Sequence, residues 1–170
     1  MKKRFVYILL STLVAVFLFL TGGVFSKKKR AEQVAERIEI LPVFSLPTLK
    51  GDVFDSEKIT AGPILITYFH PECEHCQYEI SSLSSRKLSK DDLKVILVSQ
   101  ADPYQTEAFV RKFDFKNDSL LWILCDTSNV FSRIFNIEKI PSNYIYDKNR
   151  HLIRIFKGET DVEVIIKSLK

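Results

Sequence analysis

Two cysteines three residues apart, Cys73 and Cys76, are the side chains of this sequence best suited to chemistry, and they stand just beyond an apolar run, Ile64 to Phe69. That β-branched run predicts a buried strand closed by a short polar turn. Pro71 ends it, and Cys76 falls in the first turn of a helix predicted over about 75–87. Residues three apart share a helix face, so both sulfurs can meet at the strand-to-helix junction. The unsatisfied N–H groups and the positive dipole end of a helix start favour a thiolate there. The thiolate is the species that attacks a disulfide. Cys73, first and nearer the surface, is the expected nucleophile; Cys76 would lie deeper and resolve the mixed disulfide. The plainer reading is a pair of core cysteines or an inert structural disulfide, but core packing gives no reason for cysteines to gather at a helix start.

The two residues between the sulfurs pull in opposite directions. His75 offers a donor or partial positive charge, which favours the thiolate and makes the disulfide more oxidising. Glu74 disfavours the thiolate. The dipeptide therefore leaves the redox direction open. Cys125 ends an apolar run and reads as a packed core thiol; Trp122 reads as core and His151 as surface.

The elements needed to hold this junction follow in order. Leu93 to Ser99 reads as a second buried strand, and residues 103–115 as a helix with Pro103 in its first turn and Phe109, Val110 and Phe113 on one face. Leu121 to Cys125 is a third strand. Asp126 or Thr127 is the expected cap of a helix carrying Val130, Phe131, Ile134 and Phe135. Pro141 precedes a strand over Asn143 to Tyr146, which pairs through the turn at 147–150 with Leu152 to Phe156. Val162 to Leu169 closes the chain as an amphipathic helix. Upstream, two short strands flank a Lys50-Gly51 turn, with one helical turn at Ser56 to Ile59. Alternating strands and helices with a final hairpin and helix predict an α/β fold, a mixed central sheet with helices on both faces.

An apolar strand, C-x-x-C, Glu79 three residues beyond the second cysteine and Ile140-Pro141 ahead of a later strand together resemble the thioredoxin-like superfamily. The likeness is nearest to its membrane-anchored TlpA- and ResA-like thiol–disulfide oxidoreductases, with their redoxin (AhpC/TSA-like) domain, and covers roughly residues 40 to 170. The resemblance implies a thioredoxin-like fold with an N-terminal β-hairpin and one inserted strand–helix unit. It implies Cys73 and Cys76 as the catalytic pair, with Glu79 moving protons at the resolving cysteine. Ile140 and Pro141 would bind substrate, a cis Pro141 setting the Ile140 backbone beside the sulfurs. Protein thiols and disulfides are the implied partners, and the dithiol itself serves in place of a cofactor or metal. Reductases of this branch often carry Glu where Glu74 stands, and strong oxidants carry His where His75 stands. The likeness leans towards a reductase kept reduced by a membrane electron donor. Thr67 replaces the buried aspartate of thioredoxin, and Glu72 replaces the tryptophan before the first cysteine.

Charge and hydropathy divide the 170 residues unevenly. Residues 1–30 hold seven Lys/Arg and no acid, which leaves 18 of the 25 basic residues against all 21 acidic ones, a net −3 for residues 31–170. Nothing in that part calls for a nucleic-acid surface. Phe5 to Phe25 carries no charge, and its 21 residues approach the ~20 needed to cross a bilayer. A cleavable signal is the alternative, although the run exceeds the usual ~7–15 residues of such a core. The expected organisation is an anchor with basic flanks at 1–30, a spacer at 31–40 and a thioredoxin-like domain at 41–170. A short basic N-terminus stays in the cytoplasm, which would place the domain on the extracytoplasmic, periplasmic side, where disulfides persist.

Other functions fit fewer of these residues. A disulfide-forming oxidant of the same fold would use the same dithiol. A copper-delivery module would use Cys73, Cys76 and His70 as soft or borderline ligands, but copper carriers on this fold space their cysteines by three residues. A peroxiredoxin wants Thr or Ser three residues before its reactive cysteine, and His70 is there instead.

Overall fold

The computed structural model describes residues 7, 12–13, 17–18, 28–60, 62–85, 93–113, 115 and 120–169. The chain divides into two compact units, Met1–Glu36 and Arg37–Lys170. Most of the apolar stretch 5–25, read above as a membrane span, lies outside the described residues. Among the described residues no helix is long and apolar enough to cross a membrane. Residues 28–38 are helical, as expected for the stub at 31–37, with an exposed Lys28–Glu32 pair one turn apart.

The second unit begins with residues packed on the domain itself. Ile38 is buried, and its carbonyl accepts from the Tyr146 hydroxyl at 3.0 Å. Strands β1 (Ser45–Pro47) and β2 (Val53–Asp55) form the antiparallel hairpin, with Leu46 opposite Phe54. Gly51 at φ +86° turns the chain between them, a conformation that a Cβ disfavours. A short 3₁₀ turn, Ser56–Lys58, follows. Then come β3 (Ile64–Phe69), α1 (Glu74–Ser84), β4 (Lys94–Ser99), α2 (Pro103–Val110), β5 (Leu121–Cys125), α3 (Val130–Phe135), β6 (Ser142–Tyr146), β7 (Leu152–Lys157) and α4 (Val162–Lys167).

The five-stranded sheet has the order β5-β4-β3-β6-β7. Strands β3, β4 and β5 run parallel, while β6 is antiparallel to β3 and β7 to β6. Central strands buried on both faces explain the largely apolar runs of β3 and β4. On one face Leu65, Phe69, Val95, Leu97 and Ile145 pack with Cys76, Ile80 and Leu83 of α1, Phe109 of α2 and Val162, Ile165 and Ile166 of α4. The other face is aromatic. Phe131 stacks on Phe135 at 3.9 Å and on Tyr68 at 5.7 Å, and meets Phe44 edge-on at 5.1 Å. Helices thus cover both faces of a mixed sheet, as the element pattern predicts.

Three details depart from the sequence reading. Helix α2 stops at Val110, because Lys112 and Phe113 bond back three residues to Phe109 and Val110. Trp122 is half-buried, tilted against Phe54 at 5.6 Å. Helix α3 starts after Asn129, which is left-handed at φ +55° and makes no side-chain cap. The capping acceptor is Asp126, reached from four residues upstream of the helix. Its buried carboxylate accepts from the Phe131 amide at 3.0 Å, the Ser132 amide at 2.9 Å and the Tyr68 hydroxyl at 3.3 Å. Asp126→Ala would leave those donors without an acceptor in a dry site. A loss of about 3 kcal/mol in urea unfolding is expected, against a few tenths for an exposed aspartate.

A buried dithiol as the candidate active site

The strand β3 ends at Phe69 and the chain turns within four residues into α1. The Cys73 amide donates to the His70 carbonyl at 3.1 Å, the Glu72 amide to His70 Nδ1 at 3.2 Å, and Gln77 Nε2 to the Pro71 carbonyl at 2.8 Å. This turn leaves Cys73 extended (φ −81°, ψ 113°) as the N-cap residue of α1. Its sulfur occupies the place a Ser or Asp oxygen takes in other caps, accepting from the Cys76 amide at 3.3 Å.

The two sulfurs differ in a way that matters chemically. Both are free thiols; Cys73 is half-buried and Cys76 wholly buried. Burial pushes the Cys76 thiol well above its ordinary range, and its hydrogen bond with Cys73 pushes it further. The inner sulfur is therefore the one that holds its proton.

Glu79 lies one turn beyond Cys76 on the same helix face, and it is buried, at 2% exposure. Asn143 Nδ2 donates to one carboxylate oxygen at 2.9 Å and the Thr160 amide to the other at 2.8 Å. Asn143 Oδ1 in turn accepts from the Thr67 hydroxyl at 2.7 Å. Burial raises the Glu79 pKa; the bonds from Asn143 and Thr160 draw it back, and the Glu159 charge adds to the rise. A carboxyl so placed holds its proton more readily than an exposed one.

The other expected residues fall around this pair. Glu74 is the exposed first residue of α1, and the exposed His75 bonds through Nδ1 to the Glu159 carboxylate. The Ile140–Pro141 peptide is cis, as the resemblance implies. Tyr68 pairs with Ser142, so Pro141 comes level with the end of β3 from which the dithiol turn departs. Ile140 and Cys73 are each partly buried against the core cluster that holds Cys76. His70 is not gathered with the cysteines into a ligand set: among the described residues no three His, Cys, Asp or Glu side chains converge to hold a metal. Cys125 is buried on β5, its thiol raised by burial. A cavity of about 510 Å³ between Phe54, Ile59 and Trp122 contains none of these residues.

Sequence reasoning missed Asn143, Glu159 and Thr160. Asn143 had a readable signal, a polar residue amid the wholly buried strand SNYIY, where an amide needs partners. The other two lie in a plain loop with no such mark.

Residues 39–155 match the AhpC/TSA family. The chain belongs to that family. Among relatives of this AhpC/TSA chain, the thiol-disulfide oxidoreductase ResA of Bacillus cereus is 23% identical over 167 residues, 97% of this chain and 92% of ResA. In structure it is similar to a secreted Mycobacterium tuberculosis disulfide oxidoreductase homologous to Escherichia coli DsbE, with a TM-score of 0.66, 20% identity, and coverage of 79% of this chain and 96% of that one. A putative thiol:disulfide interchange protein DsbE from Chlorobium tepidum has a TM-score of 0.64 at 15% identity, covering 78% and 96%. The fold of this AhpC/TSA chain is thioredoxin-like.

Proposed function

We propose that this AhpC/TSA chain is a membrane-tethered thiol–disulfide oxidoreductase that reduces protein disulfides outside the cytoplasmic membrane. The observation that carries the reading is the inequality of the two sulfurs: an accessible one capping a helix, and a buried one whose raised thiol keeps its proton until it is needed. The Cys73 thiolate attacks one sulfur of a substrate disulfide, forming a mixed disulfide and releasing the other substrate sulfur as a thiolate. Cys76 then gives its proton to Glu79 and attacks Cys73 Sγ, freeing the second substrate thiol. Two electrons pass to the substrate and the chain is left with a Cys73–Cys76 disulfide, which a membrane electron donor reduces again. Ile140, ahead of Pro141, would offer the backbone with which an extended substrate can pair. The name borne by the ResA relative supports the reaction class. The uncharged stretch 5–25 between basic clusters supports the anchor.

Direction is tested by equilibrating the full-length chain with glutathione buffers and trapping the thiols. A reductase is expected to have a potential closer to the ~−270 mV of thioredoxin, whereas a value near ~−120 mV would identify a disulfide-forming oxidant.

A further inference from the structure

Histidine between the two cysteines ought to favour the Cys73 thiolate and push the pair towards an oxidant. In the fold its ring is engaged elsewhere. His75 Nδ1 bonds to the carboxylate of Glu159, in the loop joining β7 to α4. That loop is pinned on both sides of Glu159. The Gly158 amide donates to the Pro141 carbonyl at 2.7 Å, and the Thr160 amide to Glu79 at 2.8 Å. The Thr160 hydroxyl closes back on the Gly158 carbonyl at 3.0 Å. Gly158 itself sits at φ +96°, and a Cβ there would come 2.9 Å from Lys139 Nζ. Glu159 is thus delivered to His75 by a loop fixed on the active-site peptide and on the buried glutamate.

The geometry points to Glu159 as a positioning residue that holds the His75 imidazole off the Cys73 sulfur and offsets its charge, keeping the dithiol a reductant. The inference rests on the thiol–disulfide reading above. The charged and titratable groups of the elements meeting here are His70, Glu72, Cys73, Glu74, Cys76, Tyr78 and Glu79 around the start of α1, Lys157, Glu159 and Asp161 from the β7–α4 segment, and Glu138 and Lys139 before β6. Lys157 is matched by Glu138 at 3.4 Å. Glu159 is the carboxylate bonded to the ring.

The test is the glutathione equilibrium of the full-length chain and its E159Q, E159D, H75A and H75A/E159Q variants. In the wild type Glu159 holds the imidazole. E159Q frees it to swing to the thiolate, and the equilibrium shifts about threefold towards reduced protein, the scale of one exposed charge pair. E159D keeps the wild-type value, and in the H75A background the E159Q shift falls to less than half. A merely structural loop contact would not produce that pattern. No shift in E159Q, or the same shift with and without His75, overturns the inference while leaving the oxidoreductase intact. A wild-type chain that never equilibrates with glutathione overturns the oxidoreductase reading first and this inference with it.

Discussion

Cys73→Ser is expected to abolish disulfide exchange, whereas Cys76→Ser should perform the first step and stop there, accumulating one mixed disulfide per chain. The asymmetry follows from position on α1. Cys73 is the half-buried N-cap, its sulfur bonded by the Cys76 amide, so of the pair it is the one a substrate can reach. Losing it removes the covalent step, and turnover of a disulfide substrate should fall by roughly 10³-fold or more. Cys76 is wholly buried with a raised thiol. It cannot meet a protein substrate, but it lies one helical turn from Cys73 and can attack it from within. Under native conditions a bulky alkylating agent should therefore label Cys73 alone in the reduced chain. Equal labelling of both cysteines, or a Cys73→Ser protein that still turns over, would defeat the assignment of roles.

The dithiol junction was legible because everything it needs is local: a strand-forming run, a proline stop and two cysteines within one helical turn. The sheet was legible for a related reason, since β3 and β4 are central and read as largely apolar runs. Element ends were less so. Phe113 continues the apolar spacing of α2, yet the backbone there has tightened to three-residue bonds, because burial and helical bonding are separate requirements. Asp126 was the right type of residue for a cap, but a left-handed Asn129 intervenes, a local choice that composition does not reveal.

The second layer of the site was not legible because it is made of long-range contacts. Glu79 meets Asn143 across 64 residues and Thr160 across 81, and His75 meets Glu159 across 84. Spacing arguments work within an element; these pairs exist only once β3 and β6 are in register and the loop after β7 has closed over α1. Thr67 illustrates the point. Its hydroxyl donates to Asn143, whose amide in turn donates to Glu79. The buried carboxyl beside the dithiol helix face is Glu79.

That buried carboxyl carries the second large effect, in Glu79→Gln. The resolving step needs the proton of a buried thiol removed, and Glu79 is the ionisable side chain one turn away whose charge is felt at Cys76. Replacing it with an isosteric amide should slow closure of the Cys73–Cys76 disulfide from a preformed mixed disulfide by about 100-fold at neutral pH, the low end for losing a positioned base. Attack by Cys73 should change little. In the wild type the closure rate rises with pH through a midpoint above the ordinary carboxylate range, since burial raises Glu79; in the variant that rise is absent. Stability carries the same signature with a definite sign. A carboxyl raised in the folded state binds its proton more tightly there than when unfolded, so its favourable contribution is complete at low pH and is lost as pH climbs through the folded value. Urea unfolding across that window should show the decline in the wild type and not in Glu79→Gln. The variant still presents one oxygen to Asn143 or Thr160 but turns a donor towards the other, so it begins from a lower stability at acidic pH and the two curves converge as pH rises. Parallel curves, or unchanged closure kinetics, would mean that Cys76 loses its proton by another route and that Glu79 serves only to anchor the loop carrying Glu159.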